Sequence, residues 1–143
     1  MELKPDTVLI VEDSPMFRRM LSDMLGAMGF FRHILEAASG TAALDQLTQV
    51  KPALVCLDLT LPDVSGFDVC EYIRSTPGLT DVPVLMITAR TLSLDRAQAE
   101  EAGANGYLTK PFTQEEFHQQ VQRMLALTPA GSPEMEKPDV GTS

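Results

Sequence analysis

Short apolar runs recur five times along the chain, at residues 7–11, 32–37, 53–57, 84–88 and 105–109. This recurrence constrains the fold more than any other feature. The first, third and fourth runs (Val-Leu-Ile-Val, Ala-Leu-Val-Cys-Leu, Val-Leu-Met-Ile) are almost continuously apolar. Strands covered on both faces read this way, as in a parallel sheet sandwiched by helices. Helical patterns fill the intervals. Phe17, Met20, Leu21, Met24, Leu25 and Met28 recur at three- and four-residue spacing, after Ser14-Pro15 and before Gly29. These are the start and stop signals of an amphipathic helix. Ala43, Leu44, Leu47 and Val50 predict a second helix ended by Lys51-Pro52, and Phe67, Cys70, Tyr72 and Ile73 a third. Leu94, Ala97 and Ala102 predict a fourth, more polar one. Thr113 with Glu116 forms a capping box ahead of Phe117, Val121, Met124 and Leu125. Five β-α units with short loops imply right-handed crossovers and a doubly wound α/β sandwich: a five-stranded parallel sheet with helices on both faces.

At 143 residues the chain fits one domain, assigned to residues 1–127. Residues 128–143, rich in Pro, Gly, Ser, Glu and Lys and without periodicity, read as a flexible tail or a truncated linker. A formal net charge of −9 argues against direct nucleic-acid or membrane partners. Cys56 and Cys70 lie inside apolar stretches without CxxC spacing, as buried, reduced thiols would. No apolar run approaches a membrane span of roughly 18 residues, and the first residues show no signal region. The expected location is the cytoplasm.

Ligands of such sheets bind beyond the carboxyl ends of the strands. The first run ends in Glu12-Asp13, the third in Asp58, the fourth in Thr88 and the fifth in Lys110. Singly, each residue has a plain structural role. The acids favour a helix start or a turn, Thr88 suits a strand, and Lys110 suits a solvated surface. Together, three acids on one rim repel and raise one another's pKa values. A divalent cation reverses that penalty. Hard oxygen donors without a His or thiolate cluster suit Mg²⁺ rather than Zn²⁺. His33 and His118 lie away from these strand ends and are assigned no role.

The residues from Val8 to Ser14 (Val-Leu-Ile-Val-Glu-Asp-Ser), Leu57-Asp58 through Pro62 to Gly66, Ile87-Thr88-Ala89, and Gly103 through Tyr107 to Lys110-Pro111-Phe112 resemble the receiver domains of bacterial two-component response regulators. The resemblance runs roughly from Asp6 to Leu127 and implies a flavodoxin-like (βα)5 fold. It implies that Asp58 is the phosphoryl acceptor, with Mg²⁺, replaceable by Mn²⁺, held by Glu12, Asp13, Asp58 and the Thr60 backbone carbonyl. It also implies that the Thr88 hydroxyl and the Lys110 ammonium contact the phosphoryl group, that Thr88 and Tyr107 act as the switch, and that Lys110-Pro111 is cis. The implied donor is a phosphohistidine of a sensor kinase or phosphotransfer protein. The implied output is a changed surface on the fourth helix, fifth strand and fifth helix, read by a partner, an output domain or a second copy. Turnover is confined to self-catalysed phosphotransfer and dephosphorylation. Met16, beside the acid pocket, is a candidate contact for a histidine-bearing helix.

Two other functions fit less well. A haloacid dehalogenase-type phosphatase also forms an aspartyl phosphate, but carries a second acid two residues past the nucleophile, where this chain has Thr60. A flavodoxin-like cofactor module needs a phosphate-cradling loop after the first strand, where Glu12-Asp13 would repel a phosphate.

Overall fold

A computed structural model describes residues 2–127; the tail expected at residues 128–143 lies outside the described residues. Ten elements alternate strictly: β1 (Glu2–Val11), α1 (Pro15–Met28), β2 (His33–Ala37), α2 (Gly40–Leu47), β3 (Val50–Leu57), α3 (Gly66–Ser75), β4 (Val84–Thr88), α4 (Ser93–Ala102), β5 (Gly106–Thr109) and α5 (Gln114–Leu125). All strands pair in parallel, in the order β2-β1-β3-β4-β5. The order reverses between β1 and β3, so their carboxyl ends flank the crevice expected of this fold class.

Alternating side chains divide the core into two layers. Leu9, Val11, Val55, Leu57, Val84 and Met86 point to one face, where Ala43 and Leu47 of α2, Cys70 and Ile73 of α3, and Ala99 of α4 cover them. Val8, Ile10, Leu54, Cys56, Leu85 and Ile87 point to the other, covered by Leu21 and Leu25 of α1 and by Phe117, Val121 and Met124 of α5. Both cysteines are free and buried. Burial pushes the Cys56 thiol up to about 12 and the Cys70 thiol up to about 11.

The helix boundaries follow local chemistry. The Ser14 hydroxyl caps α1 by accepting from the Phe17 amide, Pro15 fills its first turn, and Gly29 ends it at φ 75°. The capping box at Thr113 and Glu116 is present at α5.

Two expectations fail. The second helix stops at Leu47, with Thr48 as its C-cap, and Val50, Lys51 and Pro52 open β3 instead, pairing with Glu2, Leu3 and Lys4 of β1 across a register shift. Proline is tolerated there because it sits near the start of the strand. In α4 the buried residues are Asp95, Ala99 and Ala102 rather than Leu94 and Ala97, and Leu94 is 79% exposed. Asp95 can turn inward because the Arg90 guanidinium meets its carboxylate at 2.8 Å.

Candidate functional site

The site is built from the polar residues that terminate β1, β3 and β5. Apolar packing buries β1 and β3 up to their last residues, while β5 is only half-buried, so Glu12 and Asp58 emerge at the sheet rim with little solvent around them. Glu12 is 2% exposed and Asp58 6%, while Asp13 faces solvent. Carboxylate oxygens of Glu12, Asp13 and Asp58 lie within 4.8 Å of one another. Lys110 Nζ donates to Glu12 Oε1 at 2.8 Å and to Asp58 Oδ2 at 3.0 Å. Its amide bonds the Thr88 carbonyl at 2.8 Å, and its ammonium lies 4.0 Å from the centre of the Phe17 ring. The Lys110-Pro111 bond is cis.

The electrostatics follow from burial. Burial raises the Glu12 pKa, and the charge of Asp58 adds to that, against the lowering effect of the Lys110 and Ser14 hydrogen bonds. Burial disfavours the Lys110 ammonium, but its bonds to Glu12 and Asp58 outweigh that and raise its pKa. The attraction therefore secures the lysine's charge, while the buried glutamate still bears a net desolvation cost. One ammonium serves two carboxylates, and Asp13 is left without a hydrogen-bond partner among the described residues. This donor set fits a hard divalent cation. Three oxygen ligands converge, no nitrogen or sulfur ligand is present, and opposite ligands of an octahedral Mg²⁺ stand about 4 Å apart.

The other expected residues are nearby but engaged differently. The Thr60 amide donates to Asp58 Oδ1 at 3.1 Å. Thr88 is fully buried at the end of β4, and its hydroxyl accepts from the Arg90 amide at 3.4 Å and donates to none of the three acids. Tyr107 is half-buried, its hydroxyl donating to the Arg90 carbonyl at 2.8 Å, with the Arg96 guanidinium 4.7 Å from its ring centre. Met16 is 83% exposed beside the pocket.

Three contributors escaped the sequence reading. Gly66 lets the start of α3 lie against the backbone of Asp58 and Leu59, its amide donating to the Leu59 carbonyl at 2.9 Å. The Asp63 carboxylate accepts from the amides of Gly40, Thr41 and Val64 at 2.8–2.9 Å, tying the β3–α3 loop to the start of α2. Its pKa is held well below the carboxylate range by the Thr41 hydroxyl and these amides. Arg18, on α1, reaches the Glu12 carbonyl at 2.7 Å and Glu36 at 3.0 Å. Only Gly66 left a signal in sequence, as a glycine eight residues past an aspartate that ends a strand.

Known proteins are similar to this chain in sequence and fold. A family model described as the response regulator receiver domain matches residues 8–122. The transcriptional regulatory protein KdpE of Mycobacterium tuberculosis is 37% identical over 94% of this chain and 57% of its own length. The DNA-binding response regulator MtrA of Mycolicibacterium smegmatis is 35% identical over 87% of this chain and 53% of its own length. The chain thus spans about half the length of these curated relatives. A putative response regulator from Chloroflexus aurantiacus superposes with a TM-score of 0.79 at 36% identity, covering 86% of this chain and 99% of that one. The receiver domain of the Pseudomonas aeruginosa sensor histidine kinase PA1611, solved with a magnesium ion coordinated in its active-site cleft, gives 0.77 at 30% identity, over 85% and 98%.

Proposed function

This chain belongs to the receiver-domain family of response regulators, and from that premise we propose that it is a Mg²⁺-dependent switch phosphorylated on Asp58. The family consists of signalling proteins rather than substrate-turnover enzymes, and nothing in the comparisons supports the phosphatase reading. The observation that carries the assignment is the convergence of Glu12, Asp13 and Asp58, with Lys110 bridging two of them.

In the proposed chemistry an Asp58 carboxylate oxygen attacks phosphorus, the P–N bond of a phosphohistidine protonated on its other ring nitrogen breaks, and the bonding pair leaves with the now neutral imidazole. Glu12, Asp13, Asp58 and the Thr60 carbonyl would hold the cation, which when bound neutralises charge on the transferring oxygens. Lys110 is already charged and within hydrogen-bond reach of Asp58, so it can follow the new phosphoryl oxygens without being recruited from solvent. Thr88 can exchange its weak bond to the Arg90 amide for one to a phosphoryl oxygen. Hydrolysis by water then returns Asp58 and inorganic phosphate. Mn²⁺ offers the same preference for oxygen donors and should substitute.

Switching would pass through the β4–α4 loop. Thr88 and Tyr107 both bond to Arg90, so withdrawal of the Thr88 hydroxyl loosens the residue that anchors the tyrosine. That would bias two conformations of the α4-β5-α5 face, where a partner, an output domain or a second copy would bind. Exposed Met16 supports docking of a histidine kinase or phosphotransfer protein beside the pocket. The charge of −9 supports no direct nucleic-acid contact by this domain; any DNA binding would belong to a further domain like those of the longer relatives. No helix among the described residues is long and apolar enough to cross a membrane, and a cytoplasmic location suits the role. We assign residues 1–127 to the receiver unit and 128–143 to a tail or linker. Incubation with phosphoramidate or acetyl phosphate and Mg²⁺ should add one phosphoryl group by intact mass. Equal labelling of Asp58→Asn would overturn the assignment.

A further inference from the structure

Asp13 is the exposed member of the acid cluster, and among the described residues its carboxylate accepts no hydrogen bond. Its position is therefore set by its backbone. The backbone of Glu12 is held on both sides of its Cα, and the bond to its carbonyl is the one that holds the peptide joining it to Asp13. The Glu12 amide donates to the Ala37 carbonyl at 3.0 Å, and the Glu12 carbonyl accepts from Arg18 Nη1 at 2.7 Å. Arg18 is itself fixed. Its side chain is only 19% exposed, its Nε pairs with Glu36 Oε1 at 3.0 Å, and its amide makes the first helical bond of α1, to the Ser14 carbonyl at 2.8 Å. The planar guanidinium fork thus spans β2, the β1–α1 turn and α1 with bonds of fixed direction.

We propose that Arg18 is the positioning residue of the cation site: by clamping the Glu12–Asp13 peptide it aims Asp13 and so sets the affinity for a divalent cation. This inference rests on the receiver reading above. Partners that orient metal ligands typically contribute about 10- to 100-fold in affinity. A purely electrostatic role would have the opposite sign. A nearby guanidinium repels a dication, so deleting it would tighten binding. The two roles are therefore separable by direction alone.

The test is Mn²⁺ binding to the unphosphorylated protein, followed by electron paramagnetic resonance, with Mg²⁺ titrations by calorimetry in parallel. Arg18→Ala should weaken the dissociation constant about tenfold. Arg18→Lys, which keeps one donor and the charge, should recover part of the loss. Glu36→Gln, which leaves the Arg18–Glu12 bond in place, should bind within about twofold of wild type. The Mg²⁺ concentration giving half-maximal phosphorylation by phosphoramidate should rise in Arg18→Ala by the same factor as the dissociation constant. The rate at saturating Mg²⁺ should stay near wild type, because Arg18 does not touch the reacting atoms. Unchanged or tighter Mn²⁺ binding by Arg18→Ala, beside a wild type that binds the ion and is labelled on Asp58, would overturn the positioning role alone. A wild type that neither binds the ion nor is labelled would overturn the functional reading and this inference together. Melting curves of each variant confirm that the titrated protein is folded.

Discussion

Gly66→Ala offers the sharpest test of how the fold positions Asp58. Gly66 has no left-handed backbone, so alanine suits its conformation and the effect is steric. A Cβ at this position would run into the Asp58 carbonyl oxygen, and would stand 2.8 Å from Leu59 Cα and 3.0 Å from the Asp58 carbonyl carbon. Ordinary carbon–carbon contact is about 3.5–4.0 Å, so the backbone must part by roughly 1 Å. No side chain can rotate to absorb that displacement, because every atom in the way is main chain. Overpacking of this kind costs about 1–3 kcal/mol, partly offset by about 0.5–1 kcal/mol from removing a helical glycine. The net cost is about 0–2.5 kcal/mol, so for a domain of this size the melting temperature should fall by no more than about 10 °C. The larger effect should be kinetic, since a displacement of about 1 Å at a reacting group costs on the order of 10²-fold in rate. Phosphoryl incorporation from phosphoramidate at saturating Mg²⁺, followed by intact mass, reads it directly. Gly40→Ala is the control. Its Cβ would run into the Val64 side chain and come within 3.2 Å of the Val64 carbonyl oxygen, a clash that borders Asp63 rather than Asp58. It should lose stability without slowing labelling. A folded Gly66→Ala protein labelled at the wild-type rate would refute the claim that this contact sets the acceptor's position.

Mg²⁺ at a hundredfold excess over its dissociation constant should stabilise the wild type by about 2.7 kcal/mol, and Asp13→Ala much less; equal rises in melting temperature would place the cation elsewhere. Asp63, whose pKa is depressed in the fold, contributes stability that is fully present above its ordinary value of 3.8 and is lost as pH falls through its lower native value. Asp63→Asn should accordingly melt lower than wild type at pH 7, with the gap closing below pH 3.8; a gap independent of pH would remove the charge from the argument. Thr88→Ala should still accept a phosphoryl group on Asp58 but lose the response at Tyr107. Identical phosphorylation-induced NMR shifts around Tyr107 in wild type and Thr88→Ala would disconnect the two.

What sequence conveys about this fold tracks how each residue is held. Strands buried on both faces are written as unbroken apolar runs, so β1, β3 and β4 announce themselves, and the polar residues that end them stand out because nothing else in those stretches is polar. Glu12 and Asp58 were legible for that reason, whereas Lys110 follows the half-buried β5 and stood out only beside Pro111 in the family motif. Asp95 was not. It is a buried acid that reads as a surface one, and its burial depends on Arg90, whose own orientation emerges only from the β4–α4 loop. A helix with so few apolar residues gives little phase information, and the inward face was misread. Val50 to Pro52 failed differently. A proline after a helical stripe normally ends a helix, but pairing with the start of β1 drew those residues into the sheet. Arg18 and Asp63 act on backbone groups of other segments, and a sequence does not display which carbonyls and amides will be left to satisfy.

The charges at the rim explain why such a site should respond to a cation and a phosphoryl group together. Three carboxylates and one ammonium leave two negative charges in a place where burial already strains Glu12. Each added charge there is expensive, because two of the three acids have lost most of their water. Phosphorylation of Asp58 exchanges one carboxylate charge for the near-dianion of a phosphoryl group, and Lys110 is already fully engaged before the reaction. Without a dication the phosphorylated form would carry more uncompensated charge than the resting one. With one bound, it would carry less than the resting form does alone. On this charge count a phosphorylated Asp58 would depend on the cation, and the proposed aiming of Asp13 by Arg18 would set how much cation is needed.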